Sequence, residues 1–403
     1  MTIFAGILSS TVLFAVPLLL VALGGMFSER SGVINIALEG IMIVGALMGC
    51  LTLAMLNGPF AEVDSLIKSG LANKKDQFAY IVENCLPADF DISGFKNAKK
   101  LIEAGLLDEA AARAAMLVYI TENALVSPST LSMYSFISAH PQLTTAIAVI
   151  VAAVSGIVYS LLLAFASINL KADQTIGGTA LNMLAPAFAI VLTWAVQGQG
   201  QTTILIPTWV RISSESLGLG AAEGFWGTFF FKSMYLTTPL AILLLIASWV
   251  LLYKTRLGLR LRACGEHPQA ADSVGINVYK MRYIGVIISG FLGGIGGLAF
   301  TVAAGSGFQS SVAGYGFLAL AVMIFGNWKP LPILGASLFF ALFKIIGSYS
   351  GSIPFLPSFE NVKSSEYIYL MLPYIVTMII LVLTSKKSRA PKAEGVPYDK
   401  GAR

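Results

Sequence analysis

Two polar side chains stand inside an apolar run near the start of the chain. The run is "SGVINIALEGIMIVGA", and it carries Asn35 and Glu39 four residues apart, so on a helix they share one face. A carboxylate in hydrocarbon costs about 3 kcal/mol or more, and such groups usually face a bundle interior or a polar path. The pattern predicts hydrogen bonding to something inside the membrane, either a passing solute or neighbouring helices.

A few further residues in apolar surroundings are candidates for the same chemistry. Asn182 interrupts a second apolar run, Gln309 lies near the end of another, and Tyr315 and Phe317 could stack on a flat ring or anchor a helix end at the interface. The two asparagines and Glu39 could instead satisfy the backbone of broken helices, because "SGVIN" and "TIGGT" are predicted to be irregular.

Composition defines the elements that must position these residues. The 403 residues are 56% hydrophobic and 12% charged, against roughly 25% charged in soluble domains. We predict an all-α polytopic transmembrane bundle of about nine to ten spans, since several apolar stretches reach the roughly 20 residues that a crossing helix needs. The predicted spans lie near 4–25, 33–56, 142–168, 175–196, 234–253, 283–304, 313–326, 330–349 and 367–384.

Basic residues indicate which segments face the cytoplasm. Six of the 26 Lys and Arg fall between Lys254 and Arg282, and six more follow Thr384. This placement predicts that segment 254–282 and the tail 386–403 are cytoplasmic. Counting spans backward then puts the N-terminus outside. For the tail alone, binding to lipid headgroups explains the charge equally well.

The polar stretches divide the chain. Residues 1–57 hold two predicted spans, 58–140 form a polar, helical insert outside the membrane, and 141–385 form the main transmembrane core. The insert contains "NAKKLIEAGLLDEAAARAAM", whose apolar spacing predicts short amphipathic helices. It is either a small cap or an insertion without a function. Residues 197–232 read as an outer loop or lid.

Motifs for catalysis are absent from the sequence. It has no GxxxxGK[ST], GxSxG or HExxH pattern, its two histidines are far apart, and its three cysteines lack metal-binding spacing. We therefore expect no enzyme activity, no metal site and no cofactor on this chain.

The segment from Arg256 to Phe300 is the richest in signals. In "EHPQAADSVGI", Pro268 suits the first turn of a short helix and Gly275 suits its end. A short helix between two spans would present a rigid knob to a cytosolic partner; a solvated loop is the alternative. Four glycines then form two overlapping GxxxG pairs that predict close helix packing: Gly290, Gly293, Gly294 and Gly297.

A family resemblance rests on four blocks of this sequence. They are "RACGEHPQAADSVGINVYKMRYIGVIISGFLGGIGGLAF", "ERSGVINIALEGIMIVGA", "KADQTIGGTALNMLAPAF" and "GYGFLALAVMIFGNWKPL". Together they resemble the permeases of ABC importers that serve ribose, branched-chain amino acids and nucleosides, and the form "SGVINIALEG" is similar to the nucleoside branch. His267 departs from the asparagine expected there, and the insert 58–140 is longer than the family pattern.

The resemblance implies a function and partners. The chain would be the membrane subunit of an importer that moves nucleosides by alternating access, in a bacterial inner membrane. Its partners would be a cytosolic ATPase carrying ATP and magnesium, a second homologous permease in a heterodimer, and a substrate-binding lipoprotein; nucleic acid is not expected. The segment resembling the coupling helix contains Gly265, Glu266, His267, Pro268, Ala270, Ala271 and Gly275.

A nucleoside needs hydrogen-bonding groups and aromatic walls but no ion trap, which Asn35, Glu39 and Asn182 could supply. An amino-acid importer would need a paired acid and base, and Lys344 would provide the base if it points inward. Ribose-like sugars remain a further alternative. A stand-alone secondary transporter would need several titratable groups at mid-membrane, and a membrane scaffold has only the insert in its favour.

Overall fold

Helices dominate the computed structural model of the chain. It describes residues 2–73, 75–87, 95–212, 224–231, 234–349, 371–372, 375, 378–379 and 390–400. Within these ranges, strand pairing is limited to two isolated antiparallel bridges, Ile204 with Phe308 and Arg211 with Tyr235. The predicted all-α polytopic class is confirmed.

Seven helices of the described ranges are long and apolar enough to cross a membrane, and an eighth apolar helix is shorter. The predicted span 367–384 lies mostly outside the described residues. In chain order the α-helices are α1 (Thr2–Arg30), α2 (Leu38–Asn73), α3 (Lys75–Cys85), α4 (Ala98–Glu103), α5 (Glu109–Glu122), α6 (Pro128–Ala139), α7 (Pro141–Ala164), α8 (Gln174–Gln197), α9 (Gly224–Phe231), α10 (Thr237–Lys254), α11 (Arg256–Glu266), α12 (Pro268–Ser273), α13 (Val278–Ala304), α14 (Tyr315–Phe325) and α15 (Pro330–Tyr349).

The chain divides into two compact units, one of Met1–Thr52 with Thr145–Arg403 and the other of Leu53–Thr144. In the second unit α2 continues as a helix to Asn73, beyond the predicted span end at 56, because loss of apolar residues does not by itself end a helix. This half of α2 packs with α3 to α6 around buried side chains that include Ile67, Leu101 and Met116.

In the larger unit α13 is the central helix, buried along nearly all of its length from Ser289 to Val302. Its glycines allow neighbouring backbones to approach. A Cβ at Gly294 would collide with the Ala152 carbonyl on α7, and a Cβ at Gly297 with the Met42 carbonyl on α2. Gly290 likewise lies against the Gly156 carbonyl of α7, and Gly293 lies against the Ile41 side chain of α2, so all four glycines of the GxxxG pairs are at close helix contacts.

The segment "TIGGT" is helical, so the prediction that it is irregular was wrong. Asp173 caps α8 by accepting from the amides of Thr175 and Ile176, at 2.8 and 3.0 Å, and the helix runs through both glycines. Gly178 has a packing role instead, because a Cβ there would lie 3.0 Å from Cβ of Ile36.

The predicted short helix between two spans is present as α12. Pro268 occupies its first turn, and Gly275, at φ +82, follows its end. Side-chain caps fix the flanking helices: Thr255 accepts from the Gly258 amide to start α11, and Asn277 accepts from the Lys280 amide to start α13. Side-chain capping thus defines where α11 and α13 begin on either side of α12.

Candidate functional site

Two helices of the larger unit, α2 and α14, begin after non-helical segments of the chain. The chain between α1 and α2, residues 31–37, carries Asn35, and Glu39 lies in the first turn of α2. Residues 305–314 precede α14, whose 11 residues span only about 16 Å, half of the roughly 30 Å hydrocarbon layer. Discontinuous helices of this kind form solute sites in membrane transporters.

Glu39 connects these two helices. One carboxylate oxygen accepts from the Gly314 amide at 2.9 Å and the other from the Gly316 amide at 2.6 Å, and the residue is 7% exposed. The first amides of a helix have no partner within the helix, and the helix dipole favours negative charge there. The carboxylate therefore caps α14. A Cβ at Gly316 would collide with the backbone of Glu39, so glycine is required for this approach.

Asn182 braces the start of α2 from α8. Its side-chain oxygen accepts from the Gly40 amide, and its side-chain nitrogen donates to the Ile36 carbonyl, both at 2.8 Å. A single side-chain amide thereby satisfies one backbone N–H and one backbone carbonyl at the start of α2. Nearby, the Ile34 amide donates to Gln174 at 2.7 Å, a contact that the sequence did not reveal.

Asn35 differs from the other two polar residues because its bonding capacity is incomplete. Its nitrogen donates to the Ser289 hydroxyl of α13 at 2.8 Å, and the residue is fully buried. Its side-chain oxygen has no hydrogen-bond partner among the described residues. A buried acceptor without a donor is costly, so this oxygen is a candidate contact for another molecule, which would reach it only after the surrounding helices move.

Lys344 of α15 points into an aromatic cage. Its Nζ lies 4.1 Å from the ring centroid of Tyr315, 4.8 Å from that of Phe14 and 5.6 Å from that of Phe300. The Phe300 and Tyr315 rings lie 4.4 Å apart. None of the ion pairs among the described residues involves Lys344. A cation this close to three rings is stabilised by their π faces.

The remaining path candidates lie differently. Tyr315 is 3% exposed and forms a wall of the aromatic cage, whereas Phe317 is 50% exposed. Gln309 is exposed as well. Asn35, Glu39 and Tyr315 are therefore buried at the starts of α2 and α14, whereas the side chains of Gln309 and Phe317 are exposed.

The segment that resembles a coupling helix contacts the end of α1. Gly265 lies so near the Arg30 carbonyl that a Cβ would collide with it, and Glu266 pairs with Arg30 at 3.8 Å. Ala271 is buried, whereas His267 and Ala270 are exposed. Thus α12 has one face bound to the bundle and one face open.

The described residues contain no group of three or more His, Cys, Asp or Glu that could hold a metal ion. Beside α12, burial raises the pKa of the Cys264 thiol to about 11, so thiolate chemistry is suppressed at neutral pH.

Comparison with known proteins identifies the family of the chain. Residues 108–382 match the family described as branched-chain amino acid transport system / permease component. The guanosine ABC transporter permease protein NupQ of Bacillus subtilis is 35% identical, over 98% of this chain and 97% of its own. The nucleoside ABC transporter permease protein NupC of Lactococcus lactis is 33% identical, over 98% and 96%.

A more distant relative is named for a different solute. The putative glucose ABC transporter permease protein TsgC13 of Haloferax volcanii is 25% identical over 94% of this chain and 92% of its own. No solved structure matches the chain. With its apolar helices and these full-length relatives, the chain is a multi-pass membrane protein that belongs to the ABC-transporter permease family of branched-chain amino acid transport systems.

Proposed function

We propose that this chain is the membrane subunit of an ABC importer for nucleosides. The observation that carries the proposal is the set of buried groups near the starts of α2 and α14, which offers an amide oxygen, an ammonium group and two neighbouring aromatic rings. These groups suit a solute with flat rings, hydroxyls and acceptor atoms but no net charge. Near full-length similarity to two permeases named for guanosine and nucleosides supports the same cargo.

Asn35 and the aromatic cage lie at different levels along α13. Asn35 contacts α13 at Ser289, and the Phe300 ring lies 11 residues further along this helix, about 16 Å away by helical rise. During passage, a nucleoside would contact these two levels one after the other. Its base would stack on the rings of the cage, and a ribose hydroxyl would donate to Asn35. Lys344 would donate to carbonyl or ring-nitrogen acceptors on the base, as lysine does with guanine.

Glu39 bears on the choice between nucleosides and amino acids. An amino acid would need an acid for its ammonium group and a base for its carboxylate, and Glu39 and Lys344 both lie beside Tyr315. However, both oxygens of Glu39 already accept from backbone amides, so binding an ammonium group there would compete with the cap of α14. This favours a neutral solute. Branched-chain amino acids are the second candidate, supported by the family description.

Energy and delivery come from other chains in this proposal. A cytosolic ATPase would bind ATP and magnesium and dock on the exposed face of α12. A second homologous permease would complete the path as a heterodimer, and a substrate-binding lipoprotein would deliver the cargo. The membrane would be a bacterial inner membrane, with the basic segment around α11 on its cytoplasmic side.

The contacts between α12, α11, α1 and residues 31–37 support a route for alternating access. Closure of the ATPase would push α12, and through Gly265 and Glu266 the end of α1, which leads directly into residues 31–37. Movement of that segment would shift Asn35 and the start of α2, while Glu39 would carry the motion to α14. The discontinuous helices would thus open on one side of the membrane at a time.

A substrate panel tests the choice of cargo. Proteoliposomes containing this chain, its permease partner, the ATPase and the delivery protein would be assayed for uptake of labelled guanosine, adenosine, ribose and leucine. The proposal expects nucleosides to be taken up and to compete with one another, and leucine and ribose to be ineffective. Leucine or ribose uptake in place of nucleoside uptake would assign the chain to a sister branch.

A further inference from the structure

Residues 391–400, here called the C-terminal strap, lie against the cytoplasmic segment of the larger unit. The Ala393 amide donates to the Gly265 carbonyl at the end of α11, at 2.9 Å. The Arg282 guanidinium of α13 donates to the Val396 carbonyl, also at 2.9 Å. Arg282 is 1% exposed. Burying a guanidinium is costly unless it is hydrogen-bonded, so this contact fixes the strap firmly.

Tyr398 is the apolar anchor of the strap. It is 5% exposed, and its ring lies 5.3 Å from that of Tyr279. It also packs in one cluster with buried residues of α11, α12 and α13, namely Cys264, Ala271, Val278 and Met281. The bound face of α12 therefore rests on the strap, while Val274, immediately after α12, is 74% exposed.

The strap also contacts residues 31–37, the segment that carries Asn35. At Gly395, which has φ +76, a Cβ would lie 2.7 Å from Cδ1 of Ile34, in the segment before α2. Asp399 pairs with Lys171, just before α8, at 2.9 Å. One short segment thus contacts the coupling helix and two of the elements that hold Asn35 and Asn182.

We infer that the strap is a coupling element of the transporter, with Tyr398 and Arg282 as positioning residues. It holds α12 against the bundle, and it passes displacement of α12 to residues 31–37 and to the start of α8. This inference rests on the proposed function, because coupling has meaning only if a partner ATPase drives the chain. Sequence composition alone presented this segment as part of a basic tail.

Truncation provides the first test, with a matched control. A chain ending at Arg389 loses the strap, whereas a chain ending at Lys400 loses only three residues beyond it. The transport complex would be assembled with each chain, and uptake of guanosine per ATP hydrolysed would be measured. The strap-less complex is expected to hydrolyse ATP but lose most uptake, and the control to behave as the full chain does.

A point variant separates coupling from folding. Tyr398→Ala removes the anchor, and Tyr398→Phe keeps the ring and is expected to restore coupling. Maleimide labelling of Cys264 reports whether the face under Tyr398 has opened: we expect labelling to accelerate at least about tenfold in Tyr398→Ala, because a locally opened site becomes accessible. Cys50→Ala and Cys85→Ala in every chain would leave Cys264 as the single thiol.

The possible results are distinct. Faster Cys264 labelling with a lower ratio of uptake to ATP hydrolysis supports the inference. Faster labelling with an unchanged ratio overturns it, because α12 then works without its support. Unchanged labelling overturns the assigned packing of Tyr398. If the unmodified complex takes up no nucleoside, the proposed function fails instead, and the labelling result still reports on the strap itself.

Discussion

At the scale of single residues, the polar groups in the apolar helices perform two different tasks. Glu39 and Asn182 have their side-chain atoms engaged with backbone amides and carbonyls of discontinuous helices. Asn35 and Lys344 hold the capacity to bind something else, the first through its unpartnered oxygen and the second through its ammonium group. Mutations at the two pairs should therefore have different consequences.

Glu39→Gln should destabilise the protein. The amide retains one acceptor but presents an NH₂ group to a backbone N–H, so one buried hydrogen bond is lost, at a cost of about 1–3 kcal/mol. We expect a thermal midpoint lower by a few degrees and reduced uptake. Thermal unfolding of the purified chain in detergent checks this.

Asp173→Asn is the matched control for that change. It also replaces a carboxylate at a helix start, but asparagine caps helices about as well as aspartate, so the thermal midpoint should stay unchanged. An equal midpoint for Glu39→Gln and the unmodified chain would refute the capping role of Glu39.

Lys344→Met should weaken cargo binding while leaving the chain folded. Methionine fills the aromatic cage but cannot donate, and a charge-assisted hydrogen bond of about 1.5–3 kcal/mol corresponds to a KM for guanosine raised about tenfold or more. Lys344→Arg should retain part of the affinity. Initial uptake rates over a range of guanosine concentrations give the KM. A lowered maximal rate at unchanged KM would contradict contact between Lys344 and the cargo.

At the scale of helices, close packing of α13 holds α2 and α7 in place. Its glycines bring it against the carbonyls of α2 and α7, and the same helix supplies Ser289 and Phe300 to the candidate site. Any side chain at these contacts must push the helices apart, and the adjacent site would widen with them.

Gly294→Ala should be destabilising and Gly335→Ala should not. The first adds a Cβ against the Ala152 carbonyl, and overpacking of this kind costs about 1–3 kcal/mol. The second lies in α15, where a Cβ would meet nothing within 4 Å, so the better helix propensity of alanine should raise stability slightly. Thermal midpoints of the two variants compare these effects directly, and equal shifts would be inconsistent with the packing of α13.

At the scale of the whole molecule, the sequence predicts the class and the apolar helices well, because hydropathy depends only on local composition. The break at "SGVIN" is also predicted, but "TIGGT" is helical, since its glycines serve packing that the sequence does not display. Phe317 and Gln309 were equally plausible in sequence, and their side chains are exposed, because the environment of a side chain depends on neighbours that are distant in sequence.

The long-range contacts escaped sequence reasoning for a different reason. The aromatic cage joins Phe14, Phe300, Tyr315 and Lys344, and the C-terminal strap joins Tyr398 to Cys264 and Ala271. These residues are far apart along the chain, and no local pattern marks their meeting. Lys344 itself was visible only as a lysine inside an apolar run.

The most direct test of the central claim is uptake of labelled guanosine into sealed vesicles carrying the complete complex, with and without ATP. A complex whose ATPase subunit binds but cannot hydrolyse ATP serves as the control. The account predicts accumulation of guanosine that requires hydrolysable ATP and stops in the control. Accumulation driven by an ion gradient, without ATP or the ATPase subunit, would contradict it.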